Sequence, residues 1–305
     1  MQWKGVMPAV TTPFSESLEV DWTFAERHVR WLQANGCTGI VCLGSLGEAA
    51  TLKFDEKIKI VRGAVAAVGS TIPVVGAISA LSTSEAVYLA KALADEGAQG
   101  LMILPPYIYK GDWRETKAYI ATVLRATPLP AMLYNNPIAY GTDFVPEQIR
   151  ELAAEFENLA AVKESSSDVR RVTAIRALTG DRLAIFVGVD DAIVEGIEAG
   201  AVGWIAGLVN AFPRESVALF DLAVEGKKEA AFEIYRWFLP LLRMDTVPKF
   251  VQLIKLVQEE LGVGSARVRP PRLKIEGGEL AEAKQLITNA MRYRPDSLSG
   301  SSPLL

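Results

Sequence analysis

Leu159-Ala-Ala-Val-Lys-Glu-Ser165, with the helical pattern of 168–178 and the apolar run of 183–187 behind it, decides how the chain folds. The first run is short, apolar and abruptly ended by polar residues. It reads as a buried parallel strand whose lysine, Lys163, emerges at the carboxyl end. Strand, amphipathic helix and strand in that order form one βα unit. The same unit recurs on both sides. Strand candidates lie at 6–12, 39–44, 73–78, 101–104, 131–134, 159–163, 183–187 and 203–206. Helical stretches at 54–68, 84–96, 113–126, 168–178 and 191–199 separate them. Eight strands, each followed by a helix, predict an α/β fold, a (β/α)8 TIM barrel. An open doubly wound sheet is the structural alternative. It would carry a glycine-rich phosphate loop, and neither a G-x-G-x-x-G nor a P-loop motif is present.

The barrel pattern ends near Glu225, so residues 1–225 are assigned to the barrel. Helical segments at 228–242, 247–261 and 280–292 form a C-terminal helical extension, 226–294, read as a bundle packed on the barrel. Pro248 is expected in a first helical turn. The stretch 267–272 is expected to be an extended connector, since residues before proline avoid helix. The tail, 295–305, is expected to be disordered.

Net charge is −4 with no basic stripe, which argues against a nucleic-acid partner. No long uncharged apolar run predicts a membrane span, and the amino terminus lacks a signal-peptide layout. Two cysteines, Cys37 and Cys42, fit a reduced, cytoplasmic setting better than a disulfide. A single histidine, His28, excludes a multi-histidine metal site and argues against Ser-His-Asp chemistry. His28 is expected on a helix surface.

Barrel active sites form where strands end at their carboxyl face. A buried lysine there is costly, because desolvation disfavours the ammonium form; the same desolvation suits an amine that attacks a carbonyl. The bland alternative for Lys163 is a solvated strand end or an ion-pair partner. Strand two ends in Gly44-Ser45-Leu46-Gly47-Glu48, a turn whose main-chain N–H groups and Ser45 hydroxyl can hold a carboxylate. The alternative is an ordinary βα turn. Strand five ends in Tyr134-Asn135-Asn136-Pro137, where a phenol can shuttle protons, or simply be a buried aromatic. Strand seven ends in Gly188-Val189-Asp190-Asp191; Gly188 leaves room for substrate, and Asp190 or Asp191 is expected to cap the next helix. Strand eight ends in Ala206-Gly207-Leu208, whose backbone is expected to line the pocket. Together a carboxylate-holding turn, a phenol and an amine suit a 2-oxo acid bound as a Schiff base.

These residues resemble the dihydrodipicolinate synthase and N-acetylneuraminate lyase superfamily. The resemblance runs from Gly5 to Pro271. It rests on Thr11-Thr-Pro-Phe14, Gly44-Ser-Leu-Gly-Glu48, Pro105-Pro-Tyr107, Tyr134-Asn-Asn-Pro137, Val162-Lys-Glu-Ser165, Gly188-Val-Asp190 and Val268-Arg-Pro-Pro271. It implies a covalent imine on Lys163, Tyr134 as acid/base, and a substrate carboxylate held by Ser45 and the main chain at Leu46 and Gly47. It also implies a homotetramer, and neither metal nor organic cofactor.

The sequence departs from the synthase pattern at three places. Leu46 stands where synthases have a second threonine, Ile108 where they place a tyrosine across a subunit interface, and Ala139 where an arginine holds the aldehyde substrate's carboxylate. None of these side chains can relay a proton or pair with a carboxylate. Tyr107, one residue away, is the expected partial replacement. Gly44-Ser-Leu-Gly47 and Val209-Asn-Ala-Phe-Pro-Arg-Glu215 are similar to the branch that converts 1-pyrroline-4-hydroxy-2-carboxylate, by loss of water and ammonia, to a 2-oxoglutarate semialdehyde. The expected function is therefore a Schiff-base dehydratase-deaminase or lyase on a small 2-oxo acid or its cyclic imine. The alternatives are a pyruvate-dependent aldolase, a 4-hydroxy-tetrahydrodipicolinate synthase, and a keto-acid-binding barrel without turnover.

Overall fold

The computed structural model describes residues 1–298. Eight parallel strands follow one another round the sheet in the order β1-β8-β7-β6-β5-β4-β3-β2. They are β1 (Gly5–Pro8), β2 (Ile40–Cys42), β3 (Val74–Ile78), β4 (Gly100–Ile103), β5 (Ala131–Asn135), β6 (Leu159–Glu164), β7 (Ala184–Val187) and β8 (Gly203–Ala206). A bridge between Ala9 and Val41, with Val10 N donating to Val41 O at 2.9 Å, brings β1 onto β2. The result is the expected (β/α)8 barrel. β1, β2, β3 and β7 are shorter than their apolar runs, because the ladder stops where the chain turns outward into a loop, whereas β5 and β6 each run one residue further.

Helices α1 (Trp22–Ala34), α2 (Phe54–Val68), α3 (Thr83–Asp95) and α4 (Trp113–Ala126) surround the first half. Behind β5 come the single turn α5 (Pro137–Tyr140) and α6 (Pro146–Glu155). Then follow α7 (Arg170–Thr179), α8 (Ile193–Glu198) and α9 (Pro213–Val224). Asp112 shows why one boundary was readable: its carboxylate accepts from Glu115 N at 2.9 Å while Glu115 reaches back to Asp112 N, a capping box at the start of α4.

The C-terminal segment contributes α10 (Lys228–Leu242), α11 (Phe250–Glu260) and α12 (Gly277–Arg292). Helix α11 begins after Pro248, not around it: Lys249 is its N-cap, and Pro248 lies in the connection. The stretch 267–272 is non-helical and contains a cis Pro270–Pro271 bond. Of the tail, Asp296–Leu298 forms a 3₁₀ turn that buries Leu298, and 299–305 lie outside the described residues.

His28 corrects its expected position. It is 1% exposed, and its Nε2 lies 3.1 Å from Asn210 Oδ1. The same Asn210 Oδ1 accepts from Thr11 N, and its amide donates to Ala9 O and Gly207 O, both at 2.8 Å. The histidine is thus buried in the polar joint that holds the start of the barrel to its end. Both cysteines are free and buried. Among the described residues no helix is long and apolar enough to cross a membrane.

Candidate active site

Register places the two central side chains together. Tyr134 on β5 is level with Lys163 on β6. This depends on an irregularity: the pairing shifts between Ala131 and Met132, so that Ala131 faces Leu159 but Met132 faces Ala161. Without the extra residue Val162 would lie opposite Tyr134, and a one-residue slip turns a side chain to the other face. Asn135 and Glu164 are the next pair, and they bond each other at 3.0 Å away from the mouth.

Lys163 is 7% exposed, and its Nζ lies 4.2 Å from the Tyr134 ring centroid. Among the described residues it forms no ion pair and no hydrogen bond. Both bland readings of this lysine are thereby removed. Lys255 provides the contrast: it is buried more deeply still, yet bonded to Glu48 Oε1 and Arg267 O, both at 2.6 Å. Burial holds the Lys255 ammonium down to about 8 against the opposing pull of Glu48.

Gly188 makes room for the lysine itself. A Cβ there would lie 1.9 Å from Ser165 Oγ and 2.6 Å from Lys163 Cε. Ser165 Oγ is buried and has no partner among the described residues.

Lys163 opens into a cavity of about 410 Å³, within the range of small-molecule sites. Of the residues singled out from sequence, Lys163, Tyr134, Ser45, Leu46, Tyr107 and Gly188 line it. Three others do not. Gly47 is buried behind the turn, its carbonyl accepting from Thr12 Oγ1 at 2.6 Å. Ile108 is 86% exposed, because a left-handed backbone (φ 69°) turns it out of the loop. Ala206 is fully buried with its carbonyl engaged by Ala9 N, and its neighbours Ile205 and Gly207 face the cavity instead.

Two titratable cavity residues were missed in the sequence. Tyr140, the last residue of α5, is hydrogen-bonded to Ser45 Oγ. Its ring lies 5.5 Å from that of Tyr107 and 5.7 Å, edge on, from that of Tyr134. Burial, and then Tyr134 and Tyr107, hold its phenol well above the usual range. The signal was the punctuation of α5: Asn136 caps it, Pro137 opens it, and left-handed Gly141 ends it. One such turn carries Tyr140 back over the mouth. Asn136 also donates to the Tyr134 hydroxyl at 3.0 Å. Asp245, from the 3₁₀ turn Arg243–Asp245, lines the opposite wall, and no local pattern announced it.

Asp190 corrects another expectation. Its carboxylate does not cap the helix that follows it. It accepts from Trp204 Nε1 at 3.0 Å, from Gly207 N at 3.1 Å and from Leu208 N at 2.8 Å, tying the end of β7 to that of β8. Burial pushes the Asp190 carboxyl up to about 6 against those three donors.

A hydroxylic wall, a buried unpaired amine and a carboxyl wall can form an imine and move protons on either side of it. A parallel barrel with this mouth falls in the class of Schiff-base lyases. The sequence profile of the Dihydrodipicolinate synthetase family matches residues 2–290, and the chain belongs to that family. The chemistry of the family is a lysine imine formed without a cofactor. The chain is 29% identical over 287 residues to the 4-hydroxy-tetrahydrodipicolinate synthase of Methanothrix thermoacetophila, covering 94% of this chain and 96% of that one. It is 30% identical over 288 residues to that of Archaeoglobus fulgidus, covering 93% and 97%. The solved 4-hydroxy-tetrahydrodipicolinate synthase of Methylacidiphilum fumariolicum SolV superposes with a TM-score of 0.92 at 26% identity, covering 95% of this chain and 97% of that one.

Proposed function

We propose that the enzyme is a Schiff-base dehydratase-deaminase acting on a small monocarboxylic 2-oxo acid or its cyclic imine, with 1-pyrroline-4-hydroxy-2-carboxylate as the specific substrate. One observation carries the choice within the family. Lys163 is the sole cation among the cavity-lining residues, and the wall beyond it is built of Leu46, Ile138, Ala139 and Val247. Once that amine becomes an imine, nothing basic remains to hold a second carboxylate.

Lys163 attacks the substrate's C2=N bond, and the ring nitrogen leaves as a primary amine, giving the lysine imine. The imine draws off the electron pair when a proton leaves C3 to Tyr134, held by Asn136. The 4-hydroxyl departs as water. The double bond then shifts outward, one proton leaving C5 and one the amine while protons add at C3 and C4, so that the terminal amine becomes an imine. Two waters hydrolyse that terminal imine and the lysine imine, releasing ammonia and the 2-oxo aldehyde. Ser45 and the main chain at Leu46 hold the carboxylate, with Tyr107 and Tyr140 completing the hydroxylic wall.

A second reading, 4-hydroxy-tetrahydrodipicolinate synthase, is favoured by the names of the relatives. Ammonia release from the hydroxypyrroline carboxylate, set against pyruvate consumption with aspartate semialdehyde, separates the two. Lys163→Ala is expected to reduce whichever activity is present to background and to abolish borohydride trapping of pyruvate. Intact turnover in that variant overturns the imine reading. Binding of 2-oxo acids with no product in either assay identifies a keto-acid-binding barrel.

The proposed assembly is a homotetramer in a reduced, cytoplasmic setting. Leu81 (67% exposed), Ile108 and Tyr109 (59%) crowd neighbouring loops joined by Tyr107 N to Ala80 O at 3.4 Å. An apolar patch of this kind suits a subunit contact. Sedimentation giving a monomer at micromolar concentration overturns it.

A further inference from the structure

We propose that Asp245 is the general acid that protonates the departing hydroxyl of the substrate bound to Lys163. The inference rests on the elimination reading above and names the group that makes it work. Asp245 is the single carboxyl among the residues lining the cavity that also holds Lys163. Its carboxyl comes close against Gly207: a Cβ there would stand 2.0 Å from Asp245 Oδ1 and 2.7 Å from its Cγ. That contact needs the glycine, and Asp190 fixes it in place through the Gly207 and Leu208 N–H groups. Among the described residues Asp245 has no hydrogen bond and no ion pair. A carboxyl pressed into a cavity with no partner of its own is available to a ligand.

The wall it occupies is the right one. Ser45, Tyr134 and Tyr140 hold the side of β2 and β5, whereas Asp245 stands at the ends of β7 and β8. A substrate joined to Lys163 lies between them. Charge favours the acid form. Burial first, then the Asp190 carboxylate and more weakly Asp191, raise the Asp245 carboxyl well above the usual range, opposed by Lys163. Arg243 on the same turn is turned aside to Asp191 at 3.5 Å. Once the C3 proton has left and the lysine nitrogen is that of a neutral enamine, its opposing charge is gone and the acid form is favoured further.

The step balances as follows. The C2=C3 pair of the enamine becomes the C3=C4 double bond as the nitrogen lone pair restores the protonated imine and the C4–O bond breaks. The Asp245 O–H proton passes to the leaving oxygen, which departs as water. Asp245 is left as a carboxylate and recovers a proton from solvent at the mouth. General acids of this kind contribute roughly 10²–10⁴-fold.

Leaving-group chemistry tests the assignment. Hydroxide needs a proton to leave and chloride does not. Rates are measured for 4-hydroxy-2-oxobutanoate and 4-chloro-2-oxobutanoate with the wild-type protein, Asp245→Asn and Asp245→Glu. Expected is a loss of about 100-fold or more in hydroxyl expulsion for Asp245→Asn, with chloride expulsion falling far less and Asp245→Glu recovering part of the loss. The wild-type rate for the hydroxy acid falls at high pH, and that limb is absent from Asp245→Asn. Equal losses with both leaving groups, or none, overturn the role of Asp245. Borohydride trapping of pyruvate on Lys163 in the same variants separates this from failure of the imine reading: no adduct in the folded wild-type protein sinks the imine. A wild-type protein that traps pyruvate and expels chloride but not hydroxide sinks the acid alone.

Discussion

Gly188 is a residue chosen for what its neighbour needs. Lys163 must leave β6 through the space a Cβ at 188 would occupy, so Gly188→Ala pushes against Lys163 Cε and Ser165 Oγ, both movable side-chain atoms. The strand and its ladder are untouched. The expected outcome is a near-normal melting temperature with pyruvate trapping slowed about 100-fold, as a displacement of about 1 Å costs at a reacting centre. Trapping at the wild-type rate shows that the lysine reaches its carbonyl by another path. Lys163 and Tyr134 were legible in the sequence because each breaks an apolar run at a strand's end. Asp245 was not, since it sits in a connection after a helix with nothing periodic about it. Ile108 misled because its position beside Tyr107 says nothing of a left-handed φ.

At the scale of elements, the eight strands were readable because parallel strands buried on both faces are continuous apolar runs. The bulge that sets Tyr134 against Lys163 was not, because register belongs to a pair of strands and one run does not contain it. The C-terminal helices were readable by period, but not their attachment. Helix α11 carries Lys255 beneath the turn after β2, where Glu48 takes it and also accepts from Arg269 N at 3.0 Å. Leu43 and Glu48 on either side of that turn adopt left-handed φ of 66° and 55°, a strain that the surrounding bonds hold. Lys255→Met leaves Glu48 buried with Arg272 as its nearest cation at 3.9 Å. The expected cost in urea denaturation is about 3–5 kcal/mol, with part recovered in Glu48→Gln/Lys255→Met, since removing both charges is cheaper than stranding one. Substrate affinity should fall along with stability, because the same turn carries Ser45. A Lys255→Met protein as stable as wild type means the helices attach elsewhere.

The whole molecule is a ring that must close, and the closure is polar. Asn210, behind β8, bonds Ala9 and Thr11 behind β1, and His28 of α1 completes the joint. A helical pattern shows which residues share a face; it does not show a partner 182 positions away, which is why His28 read as a surface residue. Because Asn210 Oδ1 is an acceptor, His28 Nε2 carries the proton and the imidazole is neutral. Burial holds it down to about 4 from 6.5, against the raising effect of the Asn210 bond. The sign follows from proton uptake. Above 6.5 neither state is protonated at His28, and its contribution is complete. As pH falls from 6.5 toward 4 the unfolded chain takes up a proton that the folded chain refuses, and stability is lost, by about 3 kcal/mol over the full interval. Asp190, pushed up to about 6, acts the opposite way over part of that range. His28→Gln keeps Asp190 and removes the histidine, so the difference between the two proteins isolates the single titration. That difference should shrink by about 2 kcal/mol between pH 7 and pH 5 in matched denaturant titrations. A difference that stays constant with pH would mean that the joint admits a proton, and that the closure of the barrel does not depend on a neutral imidazole.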